Sequence, residues 1–224
     1  MKDSYGDCAM NMILLGQPGA GKGTQARLLS STLNIYHIAS GDIFRRKTDD
    51  PLLRKELDDY MNNGLLVPDV LANKIVFEEL VDRTNGAGFL LDGYPRSFNQ
   101  AQALNKTLTR CNLTIDIVVY LQVPTEQLIH RLQGRLLCPY CNKAYHRELF
   151  PPKSNAVCDQ CGSTIVQRDD DKPKAVKKRL EIYDIATQPL VNYYQSSGIL
   201  ARVEGTGSPE KVVTRILETI KVIQ

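Results

Sequence analysis

The chain has 224 residues, 42% of them hydrophobic and 24% charged, with a formal net charge of +3 and no tryptophan. That length buries one good core with room for insertions, and the composition is ordinary for a water-soluble globular protein. The small net charge argues against nucleic acid as a partner, and no apolar run approaches the roughly 20 residues that cross a bilayer. Asp3 and Asp7 precede the first apolar stretch, which does not suit a signal peptide. Residues 1–9 read as a loose tail, or the start lies near Met10 or Met12. The expectation is a cytoplasmic protein with neither nucleic acid nor membrane as partner.

The first predicted strand, 11–15, runs into Gly16-Gln-Pro-Gly-Ala-Gly-Lys22-Gly-Thr24, and a helix is predicted over 22–33. Glycines at 16, 19, 21 and 23 let the backbone turn its N–H groups inward. With the helix N-terminus and the Lys22 ammonium they form a cradle for phosphate oxygens, and Thr24 can place a hydroxyl near Mg²⁺. The common pattern has Ser or Thr directly after the lysine; here Gly23 intervenes. The plain alternative is a glycine-rich turn that binds nothing.

A strand at 35–38 follows. Residues 39–68 then break the alternation with two short helices, 41–47 and 51–62, ending in Gly64-Leu65-Leu66-Val67-Pro68. A helix at 69–83 leads to a strand at 88–92 that ends on Asp92, a Mg²⁺ partner directly or through water, and then Gly93-Tyr94-Pro95-Arg96. Helix 97–109, strand 116–123 and helix 124–134 come next. Arg131 and Arg135 are spaced i,i+4, as on one helix face. Residues 134–171 show little helical periodicity and are too long for a structureless loop, so they read as a small inserted domain. Helix 173–196 carries Lys177-Lys178-Arg179, strand 199–203 follows, and Ser208-Pro209-Glu210 starts a last helix at 209–222. Strands alternating with helices predict a parallel α/β sheet. Taken singly, each of these arginines can equally be a solvated surface charge.

Cys138-Pro-Tyr-Cys141 and Cys158-Asp-Gln-Cys161 are separated by sixteen residues. The spacing suits a four-thiolate zinc ribbon whose closed shell leaves no position for water or substrate, so the metal is expected to be structural. Two disulfides or free thiols are the alternative, and iron is a possible occupant of such a site. Cys8 and Cys111 receive no role. His37, His130 and His146 have no convincing sequence partner, so no Ser/His/Asp triad is suggested.

In this order the segments resemble the adenylate kinases, from about residue 11 to the end. The resemblance rests on Gly21-Lys22-Gly23-Thr24, Ser40-Gly41-Asp42 with Arg45, Asp92-Gly93-Tyr94-Pro95-Arg96 with Gln100, and Gly134-Arg135. It extends to Tyr145-His146, Pro151-Pro152, Arg168 before its acidic run, and Arg179. It implies a P-loop three-layer fold with a five-stranded parallel sheet. The core would comprise 1–38, 69–133 and 172–224, with an NMP-binding insertion at 39–68 and a zinc-ribbon-like lid at 134–171. It implies reversible transfer from MgATP to AMP giving two ADP, by a monomer. Gly19, Ala20, Gly21, Lys22, Gly23 and Thr24 would hold the ATP phosphates and Arg135 would reach them. Arg131 would stack on the adenine, Gly207 would border it, and Ala144-Tyr145 would touch ATP from the lid. Ser40, Arg45, Leu65, Leu66, Val67, Gly93, Tyr94, Pro95, Arg96 and Gln100 would hold AMP, with Arg168 and Arg179 clamping the moving phosphoryl group. Lys22, Arg96, Arg135, Arg168 and Arg179 form the implied catalytic set.

Two departures stand out: Ser40 where the family often has Thr, and Phe150 where Asn is common before the proline pair. The nearest rival is another nucleoside monophosphate kinase, such as a GTP:AMP phosphotransferase. A rival of a different class is a zinc-ribbon nucleic-acid-binding P-loop ATPase.

Overall fold

Alternate residues of the first strand point to opposite sides, and both sides are buried. In the computed structural model, which describes residues 10–46, 51–83, 87–154 and 156–223, β1 (Met12–Leu15) lies at the centre of a five-stranded parallel sheet. The strands are ordered β2 (Tyr36–Ala39), β3 (Phe89–Asp92), β1, β4 (Ile117–Gln122) and β7 (Leu200–Glu204). Ile13 and Leu15 join one apolar cluster with Ile38, Phe89, Leu91, Val118 and Tyr120; Met12 and Leu14 join the other with Leu90, Ile117, Val119 and Val203. Near-continuous apolar runs such as these mark strands covered on both faces.

Helices α2 (Ser40–Arg46), α3 (Pro51–Asn62), α4 (Asp69–Arg83) and α5 (Phe98–Arg110) contribute to the first face. α1 (Lys22–Leu33), α6 (Thr125–Gln133) and α9 (Pro209–Ile223) cover the second. The layers are therefore helix, sheet, helix, as the sequence predicts. The expected tail at 1–9, Cys8 included, and the end of the 41–47 helix lie outside the described residues.

The chain builds β2 and β3 on one side of β1, then crosses to build β4 and β7 on the other. The crevice at the strand carboxyl ends of such a switch point is where open α/β sheets bind ligands. Loop 16–21 leaves β1 into this crevice, and 93–96 leaves β3 beside it; Leu14 and Asp92 are register partners.

Two expectations need correction. The helical pattern at 173–196 is not one helix: α7 (Pro173–Ile182) passes through a π turn at Tyr183–Thr187 into α8 (Pro189–Ser196). Pro189 has no N–H to donate and its ring crowds the preceding turn, so the backbone widens; Gln188 N bonds Tyr183 O at 2.8 Å. Nor do Arg131 and Arg135 share a helix face. α6 ends at Gln133, Gly134 caps it, and Arg135 begins β5 (Arg135–Leu137).

β5 pairs antiparallel with β6 (Ala144–His146), and Leu137 also bridges Val166. This small sheet carries its own cluster of Cys138, Tyr145, Cys158 and Ile165. His146 closes the junction with the main fold. Its Nδ1 accepts from the N–H groups of Glu148 and Leu149, both at 3.1 Å. A Cβ on Gly134 would sit 2.3 Å from the His146 ring, so only glycine fits where α6 passes into β5.

Candidate active site

The loop after β1 enters α1 through Gly21, whose φ of 94° is left-handed and suits glycine. The backbone amides of Thr24 and Gln25 both donate to Gly21 O. Lys22 is half-buried, and its Nζ donates to the carbonyls of Gly16 (2.6 Å) and Gln17 (3.1 Å). Burial pushes its pKa down to about 7; Asp92 pulls it up, while Arg96, Arg179 and Arg135 push it further down. A Cβ at Gly23 would lie 3.3 Å from Asp92 Oδ2. The glycine after the lysine thus lets the Asp92 carboxylate approach the first turn of α1. Burial raises the Asp92 pKa, but the hydrogen bond to His37 (3.3 Å) and the Lys22 charge outweigh it and hold the carboxyl below its usual range.

On the other side of the crevice the turn after β3 is held by its neighbours. Gly93 has φ 77°, and a Cβ there would meet Ser40 Oγ and Arg96 Nη2, each at 2.9 Å. Arg96 Nε donates to Gly93 O (2.7 Å), and Arg96 N donates to Gln100 Oε1 (2.7 Å). Gln100 Nε2 donates to Asp69 Oδ1 (2.8 Å), so the Gln100 amide bridges the turn to α4. Ser40 is buried and donates to Gly93 O (2.8 Å).

One cavity is lined by Arg45, Leu65, Leu66, Val67, Gly93, Tyr94, Arg96, Gln100, Arg168 and Arg179. A neighbouring cavity contains Lys22 and Pro95 and shares Gly64, Leu66, Gly93, Arg96 and Arg179 with the first. Arg96 and Arg179 therefore stand on the wall common to both.

The acidic run after Arg168 has a part that the sequence did not reveal. Arg168 makes a two-pronged bond to Asp170 (2.9 and 2.6 Å), and Arg135 makes another to Asp171 (2.6 and 2.5 Å). Arg179 donates to Asp170 O (2.9 Å) and Asp171 Oδ1 (3.0 Å). Arg45 reaches within 3.9 Å of Asp170, having bonded Gly41 O and Asp42 on its own helix. Two carboxylates thus gather four arginines that come from three separate stretches of chain. Planar guanidiniums suit such forked pairing. Burial lowers the Arg179 pKa to about 10; Asp170 opposes this and Arg135 reinforces it.

The histidines are partnered, against expectation. His37 meets Asp92, and His130 Nε2 meets Glu148 Oε2 at 2.8 Å. Arg131 lies near Gly21 and donates to Gly205 O (3.2 Å), two residues before Gly207 in the chain. Ala144 is a rung of the small sheet, opposite Leu137. The Tyr145 ring is buried and its hydroxyl accepts from Asp159 N (2.8 Å) next to Cys158 Sγ, so it faces the cysteine cluster.

The four sulfurs of Cys138, Cys141, Cys158 and Cys161 lie within 4.8 Å of one another. The Cys138–Cys161 and Cys141–Cys158 separations of 3.4 and 3.5 Å are far too long for disulfides, whose S–S length is about 2.05 Å. Tetrahedral thiolates at about 2.3 Å from zinc would stand about 3.8 Å apart, so the sulfurs fit a metal.

The family model for adenylate kinase matches residues 14–199. The chain belongs to the adenylate kinase family. An adenylate kinase of Caldanaerobacter subterraneus subsp. tengcongensis is 45% identical over 212 residues, covering 94% of this chain and 96% of the relative. Adenylate kinases of Clostridium acetobutylicum (47% over 204 residues; 91% and 95% covered) and Syntrophomonas wolfei (43% over 213 residues; 95% and 99%) are similar along the same span. The match to the adenylate kinase family model takes in loop 16–24, the 93–96 turn with Arg96, the four clustered arginines and the four cysteines.

Proposed function

We propose that this chain transfers the terminal phosphoryl group of MgATP to AMP, giving two ADP, and runs the reverse reaction equally. What supports this best is the wall shared by two cavities, where Arg96 and Arg179 stand between Lys22 on one side and Arg45 and Arg168 on the other.

Gly19 to Thr24 cradle the donor phosphates, and Arg135 reaches them from the edge of the lid. Arg131 covers the adenine face, the Gly207 backbone borders its edge, and Ala144-Tyr145 contribute backbone from above. Arg45, Leu65 to Val67, Gly93 to Arg96 and Gln100 hold AMP, with Ser40 supporting the turn from behind. Arg168 and Arg179 clamp the group in flight. Asp92 would hold Mg²⁺, which when bound would neutralise phosphate charge. Phosphoryl transfer spreads negative charge over the equatorial oxygens of a loose transition state, so alignment and positive charge do the catalysis and no side-chain nucleophile is needed. The NMP-binding segment 39–68 and the lid 134–171 exclude the water that would otherwise accept the phosphoryl group. The protein acts as a cytoplasmic monomer, and among its described residues no helix is long and apolar enough to cross a membrane.

A coupled assay of ADP formation, run with ATP plus each nucleoside monophosphate and with GTP plus AMP, tests this. The expected pattern is turnover with ATP and AMP well above every other pair. Faster turnover with GTP as donor, or with another acceptor, would replace the proposal with a different nucleoside monophosphate kinase.

Zinc in the four-cysteine cluster holds the lid and takes no part in the transfer. Structural zinc contributes about 10–16 kcal/mol to the folding of small peptides. Chelation is therefore expected to speed hydrogen exchange across β5 and β6 first, with the five-stranded sheet still protected. Protein purified without chelator that contains neither zinc nor iron by elemental analysis would sink the idea.

A further inference from the structure

Three successive carbonyls where β7 ends are held by two guanidiniums. Arg215, on α9, donates through Nη1 to Glu204 O (3.0 Å) and Thr206 O (2.7 Å). Arg131, on α6, takes the carbonyl between them, Gly205 O, at 3.2 Å. The loop is anchored from its other side, where Gly205 N bonds Gln122 O at 2.8 Å and a Cβ at 205 would strike Val123 Cγ2 at 2.7 Å. The Thr206 hydroxyl bonds the Glu204 carboxylate, which itself lies 3.9 Å from Arg215 Nη1. The path from β7 into α9 is thus set by Arg215 from outside and Arg131 from inside, and it fixes where Gly207, with its left-handed φ of 98°, presents its backbone.

The geometry points to Arg215 as a positioning residue for the purine of the donor nucleotide. This rests on the proposed transfer from ATP to AMP and deepens its donor side. Arg215 acts through the loop: its contacts are to Glu204 and Thr206. It ties up the carbonyls of Glu204 and Thr206, as Arg131 does that of Gly205, and leaves Gly207 as the part of the loop that meets the base edge. A carbonyl there accepts from the amino group of adenine and repels the carbonyl that guanine carries at the same position. Arg131, joined to the same loop, keeps the base face in register with that edge. A lysine at 215 has no planar fork and reaches the two carbonyls less well.

Steady-state kinetics of Arg215→Ala and Arg215→Lys, with ATP or GTP as donor and AMP as acceptor, test the role. Arg215→Ala is expected to raise KM for ATP about tenfold, the scale of a lost charge-assisted hydrogen bond. KM for AMP and kcat should stay near wild type, and the ATP-over-GTP preference should shrink. Arg215→Lys should recover part of the loss. Hydrogen exchange of the 205–207 amides in the same variants should quicken locally. Equal rises in both KM values, an unchanged donor preference, or unchanged exchange in the loop overturns the role. A wild-type chain that forms no ADP from ATP and AMP overturns the proposed function itself, and this inference with it.

Discussion

Lys22→Met should lower kcat/KM by about 10²–10³-fold, the scale on which removing one preorganised donor to a developing charge is felt. It should do so without loss of stability. The lysine is half-buried and its ammonium rests on two loop carbonyls, with desolvation as the largest influence on its pKa, so an apolar side chain of similar length relieves a burial cost. Arg96→Ala should give a comparable fall, since Arg96 stands on the wall between the cavities. Near-normal activity in either variant, with circular dichroism and melting unchanged, would remove that residue from the site. The lysine also carries a pH signature. Its pKa in the folded protein is pushed down to about 7, against the ordinary lysine value of 10.5. Between those limits the unfolded chain holds a proton that the folded chain lacks, so the empty protein gains stability as pH rises through the window. On the proposed function, a bound phosphate would restore the charge. ATP binding at pH 8.5 should therefore take up close to one proton, seen by calorimetry in buffers of different ionisation enthalpy, and Lys22→Met should abolish the uptake.

Asp171→Ala should be among the most destabilising single changes in the chain. Its carboxylate is fully buried and pairs with both Arg135 and Arg179. Removing one partner of a buried pair leaves uncompensated charge and costs about 3–5 kcal/mol. The lower end applies because Arg135 keeps 24% of its side-chain surface exposed. Asp171→Asn keeps the shape and loses the charge, so it should fall between. Urea unfolding of the metal-loaded protein measures both. A loss below about 1 kcal/mol, the range of surface pairs, would show that water replaces the carboxylate freely.

Much of the fold could be read because period and burial agree. β1 to β4 and β7 are short apolar runs between helical repeats, and all fall within a residue or so of expectation. Failures came where a single residue overrides periodicity. Gly134 ends α6 one residue before Arg135, and Pro189 splits what reads as one long helix. The glycine-rich loop and the cysteine pairs carry their chemistry in local spacing. The roles of Asp171 and Asp69 depend on partners brought from elsewhere in the chain, Arg135 and Gln100, which no local pattern encodes. Tyr145 is similar: the residue is visible in a motif, but only the small sheet shows that its ring faces the sulfurs.

Because Asp170 and Asp171 already pair with Arg135, Arg168 and Arg179, a nucleotide entering the proposed site would meet cations that are spoken for. Binding is then an exchange of anions and not a capture. A lone phosphate or sulfate offers one cluster of oxygens against two carboxylates fixed in the chain, and the chain's own effective concentration works against it. Two nucleotides together offer several phosphates, anchored also by their bases. On the proposed function, the internal carboxylates would thereby set a threshold that simple anions do not cross. Small anions should compete poorly with nucleotides here, even at concentrations far above those of the substrates.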